Sequence, residues 1–247
     1  MTTRRGVIVG RILVIPLLLL AMEGVVAAGV FNELFVAPPS AFIPALGRNL
    51  VSGDLLPLTW ITIRTVGMAT VVCFSIGIPL GYLFWKVPVA QRAYEPMLGG
   101  LLAAPTILLY PVFLIFFGRT AGSIIALTTL GATVPVILNT RQSLADVNPV
   151  LLRVGQSMRL TERQIFRHIL LPAAVPVLFA GLRLGMIFIL LAVVALEYIV
   201  GIGGLGFFIS DMSYRFKTAN LFAGITMVLI LSVGLMYLLT RAQKAIR

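Results

Sequence analysis

Apolar residues fall into six long runs, at about 12–30, 60–85, 97–117, 120–140, 172–198 and 218–240, parted by short polar or proline-rich intervals. Each run reaches or approaches the ~20 residues that a helix needs to cross a hydrocarbon core. The pattern predicts an all-α membrane protein with six transmembrane helices. Residues 31–57 are mixed and hold Pro38, Pro39, Pro44 and Pro57, with one short helix expected near Ser40–Val51. TWITIRT leads into the second run, where Arg64 can snorkel to the headgroups. KVPVAQRAYEP reads as a tight polar turn, Gly118–Arg119 as a short break, and 199–217 as a glycine-rich polar segment. No internal repeat or low-complexity linker stands out.

The longest polar interval, 141–171, runs RQSLADVNPVLLRVGQSMRLTERQIFRHILL and is closed by Pro172. It predicts two short helices. Asn148 is a good N-cap with Pro149 at the first helical position. Val150, Leu151, Val154 and Met158 then share one side, with Arg153, Gln156 and Arg159 broadly opposite. Thr161 with Gln164 fits a capping box, and Ile165, Phe166, Ile169 and Leu170 form a second apolar stripe. Two readings stand side by side: a docking surface for a partner, or an interfacial helix resting on anionic lipid.

Composition narrows the class. The chain has 247 residues, 60% hydrophobic and 11% charged, which rules out a soluble domain. The single cysteine, Cys73, excludes a disulfide framework, and the single histidine, His168, argues against a metal site. The first run has no small-residue cleavage site and is expected to be an anchor, not a signal peptide. The net charge of +11 would suit nucleic acid, but its placement gives another reason. With six spans, the N-terminus (Arg4, Arg5, Arg11), Lys86 and Arg92, the 141–171 interval (Arg141, Arg153, Arg159, Arg163, Arg167) and the tail (Arg241, Lys244, Arg247) share one side. That side carries thirteen basic residues against four opposite, namely Arg48, Arg119, Arg215 and Lys217. Positive residues mark the cytoplasmic side, so both termini and 141–171 are expected there. The charge is topological, and no nucleic-acid partner is implied.

Inside the runs, Pro79, Pro105, Pro111, Pro135 and Pro176 each remove a helical hydrogen bond, tolerated only where neighbours or a wet cavity satisfy the freed carbonyl. Small residues, as in Gly99, Gly100, Ala103 and Ala104, or Ala180, Gly181 and Gly185, permit close helix contact. Transporters show both traits, and so do passive bundles. Arg183 and Glu197 lie 14 positions apart on the fifth run, so within about 40° of one face and about 21 Å along the axis. Intramembrane charges normally face a bundle interior or cavity, which makes both candidates for a translocation path or gate. Otherwise Arg183 snorkels and Glu197 caps or braces a helix end. Glu23 has a weaker claim of the same kind. Tyr110, Tyr198, Tyr214, Phe207 and Phe208 could line a route or serve as interface anchors. Gly201, Gly203 and Gly206 match G-x-G-x-x-G, but they follow a membrane helix and lack a downstream acid, so a sharp bend is the better reading. No G-x-x-x-x-G-K-[ST], G-x-S-x-G or H-E-x-x-H sequence occurs, so work against a gradient needs energy from another subunit.

The interval with its flanks resembles the permease subunit of type I ABC importers, nearest the nitrate, sulfonate and taurine branch. That family's loop reads approximately E-A-A-x-x-x-G, nine residues, then I-x-L-P. Ile169, Leu171, Pro172, Ala173 and Ala174 match its tail, followed by Gly181, Leu182, Arg183, Leu184 and Gly185. Asn148–Pro149, Thr62–Arg64–Val66, Pro111 with Phe116–Phe117–Gly118, Asn139–Thr140 and Glu197 with Gly204–Leu205–Gly206 also match, so the likeness covers about 58–240. The head departs: Arg153 stands where the family has glutamate, Val154 and Gly155 replace two alanines, and Arg159 stands where it has glycine. The resemblance implies a type I ABC importer permease fold, with an N-terminal anchor and extracytoplasmic segment at 1–57 and a core at 58–247 carrying a coupling loop at 141–171. It implies a non-catalytic, multi-pass subunit of the bacterial inner membrane. Expected partners are ATP-binding cassette ATPase subunits, a second permease copy or paralogue, an extracytoplasmic solute-binding protein and membrane lipid. ATP and magnesium would sit on the ATPase and no cofactor on this chain. The ATPase contact is expected to comprise Arg153, Val154, Gly155, Gln156, Ser157, Met158, Arg159, Leu160, Thr161 and Arg163. Arginine for glutamate changes that contact by two charges, so either the ATPase groove is acidic or a second, more standard permease completes a heterodimer. The solute would be a sulfonate, nitrate, bicarbonate or a vitamin precursor.

Two other classes compete. An ion-coupled secondary carrier would need paired ionisable residues near the midplane, and the second, third, fourth and sixth runs lack them. A membrane-embedded lipid enzyme would need a cluster of His, Asp, Glu or Ser–His, and the chain has one histidine.

Overall fold

A computed structural model describes the backbone of residues 4–245 and the side chains of residues 13–244. The side chains of Arg4, Arg5, Arg11 and Arg247, on which part of the charge count rests, lie outside the described residues. Among the described residues all regular structure is helical: α1 Arg4–Ala27, α2 Pro39–Val51, α3 Leu55–Lys86, α4 Pro88–Ala103, a short 3-10 turn Thr106–Leu109, α5 Tyr110–Phe117, α6 Ala121–Ala145, α7 Pro149–Ser157, α8 Glu162–Ile165, a π-helical turn Phe166–Leu170, α9 Leu171–Val200, α10 Gly204–Tyr214 and α11 Thr218–Ala245. Among the described residues four stretches are long and apolar enough to cross a membrane alone: Leu55–Lys86, Ala121–Ala145, Glu162–Val200 and Thr218–Lys244. A fifth, Pro88–Ala103 with Thr106–Phe117, qualifies as a pair bent by 86°. The apolar part of α1 with described side chains is Leu13–Ala27.

Three boundaries differ from the sequence reading, each for a reason in proline geometry. KVPVAQRAYEP is not a turn, because Pro88 takes the first helical position and α4 starts two residues after α3 ends. The third span is not straight: Pro105 has no N–H for the Leu101 carbonyl, and the chain turns there. Pro172 does not close the helix pair. The π-helical turn just before it, in which the Leu171 N–H reaches the Phe166 carbonyl, widens the spiral where a proline ring would strike the preceding turn. Glu162–Val200 is therefore one long element, and the second short helix of the basic interval is its first turn. The segment 199–217 also holds more than a loop, since α10 buries Leu205 and Phe208.

The chain divides into two compact units that do not follow chain order. The first takes the residues up to Ile61 and Glu197–Leu231; the second takes Thr62–Leu196 and the residues from Ser232 on. In the second unit α6 is the centre. Gly77 and Gly81 of α3 leave room for Val136 and Thr140, while Gly181 and Gly185 of α9 leave room for Asn139 and Val136. Lipid supplies no hydrophobic drive between helices, so such close van der Waals approach is what holds them. At Gly99 and Gly100, expected to serve the same purpose, an added Cβ would meet nothing within 4 Å among the described residues. In the first unit, Leu55, Leu205 and Phe208 form a buried cluster with Leu46, Leu50 and Met227, and Phe42 stacks on Phe222.

Candidate functional site

The basic interval folds as a capped hairpin seated on the second unit. Asn148 Oδ1 accepts from the Val150 N–H at 2.9 Å, and Pro149 opens α7. Thr161 and Gln164 form the expected capping box: the Thr161 N–H donates to Gln164 Oε1 at 2.9 Å, and the Gln164 N–H to Thr161 Oγ1 at 3.4 Å. Between the two starts, α7 ends on a paired closure. The Arg159 N–H donates to the Gln156 carbonyl at 2.9 Å and the Leu160 N–H to the Gly155 carbonyl at 3.1 Å. That closure sets Arg159 in the left-handed region at φ 55°, where glycine is at ease and an L side chain costs ~1–2 kcal/mol. The family pattern has glycine at this position for a physical reason.

Gly155 is buried, and a Cβ there would meet Ile169 and Ile165, so its bare backbone lets α7 lie close on the turns 162–170. Leu152 and Phe166 pack with Leu144, Val147, Leu170 and Ala174, and with Tyr82 and Trp85 from the end of α3. The Tyr82 and Phe166 rings meet edge-on at 5.0 Å. Because the glycine side faces inward, the apolar stripe faces out. Val150, Leu151, Val154 and Met158 are 55, 44, 49 and 68% exposed. The chain itself leaves this stripe uncovered, open to a partner surface or to the lipid interface.

Of the ten residues expected at the ATPase, eight are exposed: Arg153, Val154, Gln156, Ser157, Met158, Arg159, Thr161 and Arg163. Leu160 is half-buried and Gly155 is inside the hairpin. Ser157 Oγ donates to the Arg153 carbonyl at 3.0 Å. A groove of about 670 Å³ runs beside them, walled by Trp85, Lys86, Gln156, Glu162, Arg163 and Phe166. Lys86 and Glu162 face each other at 3.8 Å across it, and Arg141 pairs with Glu95 at the same distance. Ion pairs this exposed contribute ~0–1 kcal/mol.

The path candidates differ in burial. Arg183 and Tyr198 are exposed, and Tyr110 is half-buried on the first turn of α5. Glu197 is 1% exposed, and its Oε2 accepts from the Gly206 N–H at 3.1 Å, in the first turn of α10. Gly204, at φ 87°, lies so close that a Cβ would run into the Glu197 carboxyl group. The shared-face geometry that joined Arg183 to Glu197 on paper therefore ends with one side chain exposed and the other holding a helix N-terminus. Glu23 does the same for α2, its carboxylate accepting from the Ser40 N–H at 3.0 Å and the Ser40 hydroxyl at 2.7 Å. Both carboxylates sit where the positive end of a helix dipole favours them. Sequence reasoning missed the docking of Tyr82 and Trp85 under the hairpin. It also missed the glycine pairs of α3, although Gly77 and Gly81 are spaced four apart and signal a close face.

Comparison with known proteins adds a third strand. The family described as "Binding-protein-dependent transport system inner membrane component" matches residues 73–247. The formylaminopyrimidine transport permease protein ThiX of Halalkalibacterium halodurans is 29% identical over 178 residues, covering 72% of this chain and 70% of its own. The taurine transport system permease protein TauC of Escherichia coli is 25% identical over 206 residues, covering 81% and 75%. Among solved structures, an inward-facing form of the MetNI methionine ABC transporter superposes with a TM-score of 0.69 at 21% identity, over 78% of this chain and 95% of that one. At that identity the likeness speaks for the fold, which is that of a type I ABC importer permease.

Proposed function

Because this chain belongs to the binding-protein-dependent transport system inner membrane component family, we propose that its hairpin is the contact through which a separate ATPase drives solute entry. The chain is a membrane permease subunit of an ABC importer for small solutes, in the nitrate, sulfonate and taurine branch, and is not itself an enzyme. The observation that carries the coupling is the outward stripe of Val150, Leu151, Val154 and Met158 on a helix that is capped at both ends. Its inner side is wedged by Gly155 against a helix continuous with a membrane span. A push on that stripe is delivered to Ile165 and Ile169, and so to the start of the 39-residue element Glu162–Val200. Rocking of such rigid elements between two bundles gives alternating access around a central route.

In this reading the hairpin and both termini face the cytoplasm, a secreted binding protein delivers the solute from the other side, and a second permease completes the pore. The solute is a sulfonate, nitrate, bicarbonate or vitamin precursor. Arg153, Arg159 and Arg163 suit an ATPase groove that carries carboxylates, or a pairing in which a more standard permease bears the tighter ATPase contact. Glu197 serves the gate by fixing the turn 201–206, and Arg183, Tyr110 and Tyr198 are exposed residues available to the route.

The test is uptake in proteoliposomes holding this chain, its ATPase and its receptor. Accumulation that requires ATP supports the reading, and accumulation driven by an ion gradient without ATPase sinks it in favour of a secondary carrier. A photocrosslinking amino acid at Val154 or Met158 should capture the ATPase subunit; adducts with phospholipid alone would leave an interfacial helix in its place.

A further inference from the structure

The break between α4 and the 106–117 segment leaves polar backbone inside an apolar stretch. The last carbonyls of α4 have lost their helical donors, and Pro105 offers none. At membrane depth such backbone persists only where protein buries it or a wet cavity reaches it. A cavity of about 170 Å³ lies at this break, lined among others by Leu102, Ala104, Thr106, Thr128, Gly131 and Phe188. One water needs only ~10–15 Å³ of such space.

Thr128 is the second observation. It is 2% exposed, lines this cavity, and its hydroxyl has no hydrogen-bond partner. Thr59, Thr70 and Thr240 donate to the carbonyl four residues back, on Leu55, Val66 and Met236, each at 2.7 Å. The buried hydroxyls of Thr128, Thr129 and Thr140 make no such bond, and of these three Thr128 lines this cavity. A hydroxyl left unmatched in a dry interior costs more than a bond returns, and Thr128 has beside it the space through which a molecule can enter and supply the partner.

We propose that this cavity is a hydrated binding stop on the solute's route, selecting neutral or zwitterionic solutes that carry both an oxygen acceptor and an N–H donor. The Thr128 hydroxyl donates to the acceptor, and the carbonyl end of α4 takes the N–H. Among the described residues no ionisable side chain lines the cavity, so a bare anion would enter without a counter-charge, facing the negative end of a helix dipole. Aminosulfonates and amide-bearing heterocycles therefore fit it, and nitrate and bicarbonate do not. This rests on the transport reading above and narrows its substrate class.

Two experiments separate the claims. In the assembled transporter, Thr128→Cys should react with the water-soluble 2-aminoethyl and 2-sulfonatoethyl methanethiosulfonates, the cation faster. Thr129→Cys, buried at the next position but not on the cavity, and native Cys73 should stay unlabelled. Inertness of Thr128→Cys equal to that of Thr129→Cys overturns the hydrated site. If Thr128→Cys does not assemble, Thr128→Val replaces it: a dry void predicts a raised Tm, whereas the hydrated site predicts no gain, with Thr128→Ser behaving as wild type. For selectivity, uptake of taurine, formylaminopyrimidine and nitrate is compared in wild type and Thr128→Val. A loss of about tenfold for an N–H-bearing solute, one hydrogen bond's worth, supports the class. Nitrate carried at equal rates by both proteins overturns it. A wild type that carries nothing with ATP while Thr128→Cys labels would remove the transport reading and leave the hydrated cavity standing.

Discussion

The turn at 197–206 and the hairpin at 149–165 both end apolar helices, yet they treat charge in opposite ways. Glu197 is drawn inside and spent on a backbone N–H, so its partner is the chain itself. Arg153, Arg159 and Arg163 stay in the open, while the hairpin buries a glycine. A carboxylate can hold a helix start from within, because the first-turn N–H groups point at it and the dipole favours it. The hairpin's three guanidinium groups, Arg153 on α7, Arg159 in its closing turn and Arg163 on α8, point away from its buried side. They stay exposed, and so does the apolar stripe beside them.

If that contrast is right, the turn should be sensitive in stability and the hairpin in association. The largest effect is expected from Gly204→Ala, which drives a Cβ into the Glu197 carboxyl group at a backbone angle only glycine favours. A loss of about 4 kcal/mol or failure to insert is the expected outcome, read from membrane yield and thermal melting in detergent. Next comes Glu197→Gln, which keeps an acceptor oxygen but loses the charge-assisted bond, for about 2 kcal/mol. A Glu197→Gln protein that melts like wild type but no longer transports would make the carboxylate a gate and not a brace, and so break the comparison.

The hairpin should answer differently. Arg153→Glu with Arg163→Glu is expected to leave the melting temperature within a degree or so, since both side chains are exposed. It should weaken capture of the cognate ATPase by roughly tenfold, about 1.4 kcal/mol, as rim charges on complementary surfaces do. Tighter capture by Arg153→Glu would count against an acidic groove. The smallest effect should come from Arg159→Gly, which relieves a left-handed residue and stabilises the hairpin by about 1 kcal/mol. Hydrogen exchange at Leu160, whose N–H closes the turn, is the measurement fine enough to see it.

Much of this molecule is readable from residue order, and the parts that are not have a common cause. Asn148–Pro149 and Thr161 with Gln164 announce their caps because capping is a contact among neighbours in sequence. Proline positions announce trouble but not its resolution. Pro105 breaks its helix by 86°, whereas Pro172 is carried through by a π-helical turn. Both are the same residue type in an apolar context, and the difference lies in what packs around them.

Hydrophobic runs, the placement of arginines and short capping patterns determined by themselves that this is a helical membrane protein with a structured basic hairpin, since each depends only on solvent preference and local geometry. Tertiary structure alone decided which side of α7 faces outward, that the Glu197 carboxylate meets the Gly206 N–H, and that Thr128 borders a cavity. Those outcomes depend on which distant backbone comes close enough to matter: Gly155 against Ile169, Glu197 against Gly206, α4 ending beside α6. Sequence spacing carries no distance between residues of different helices, and packing supplies it.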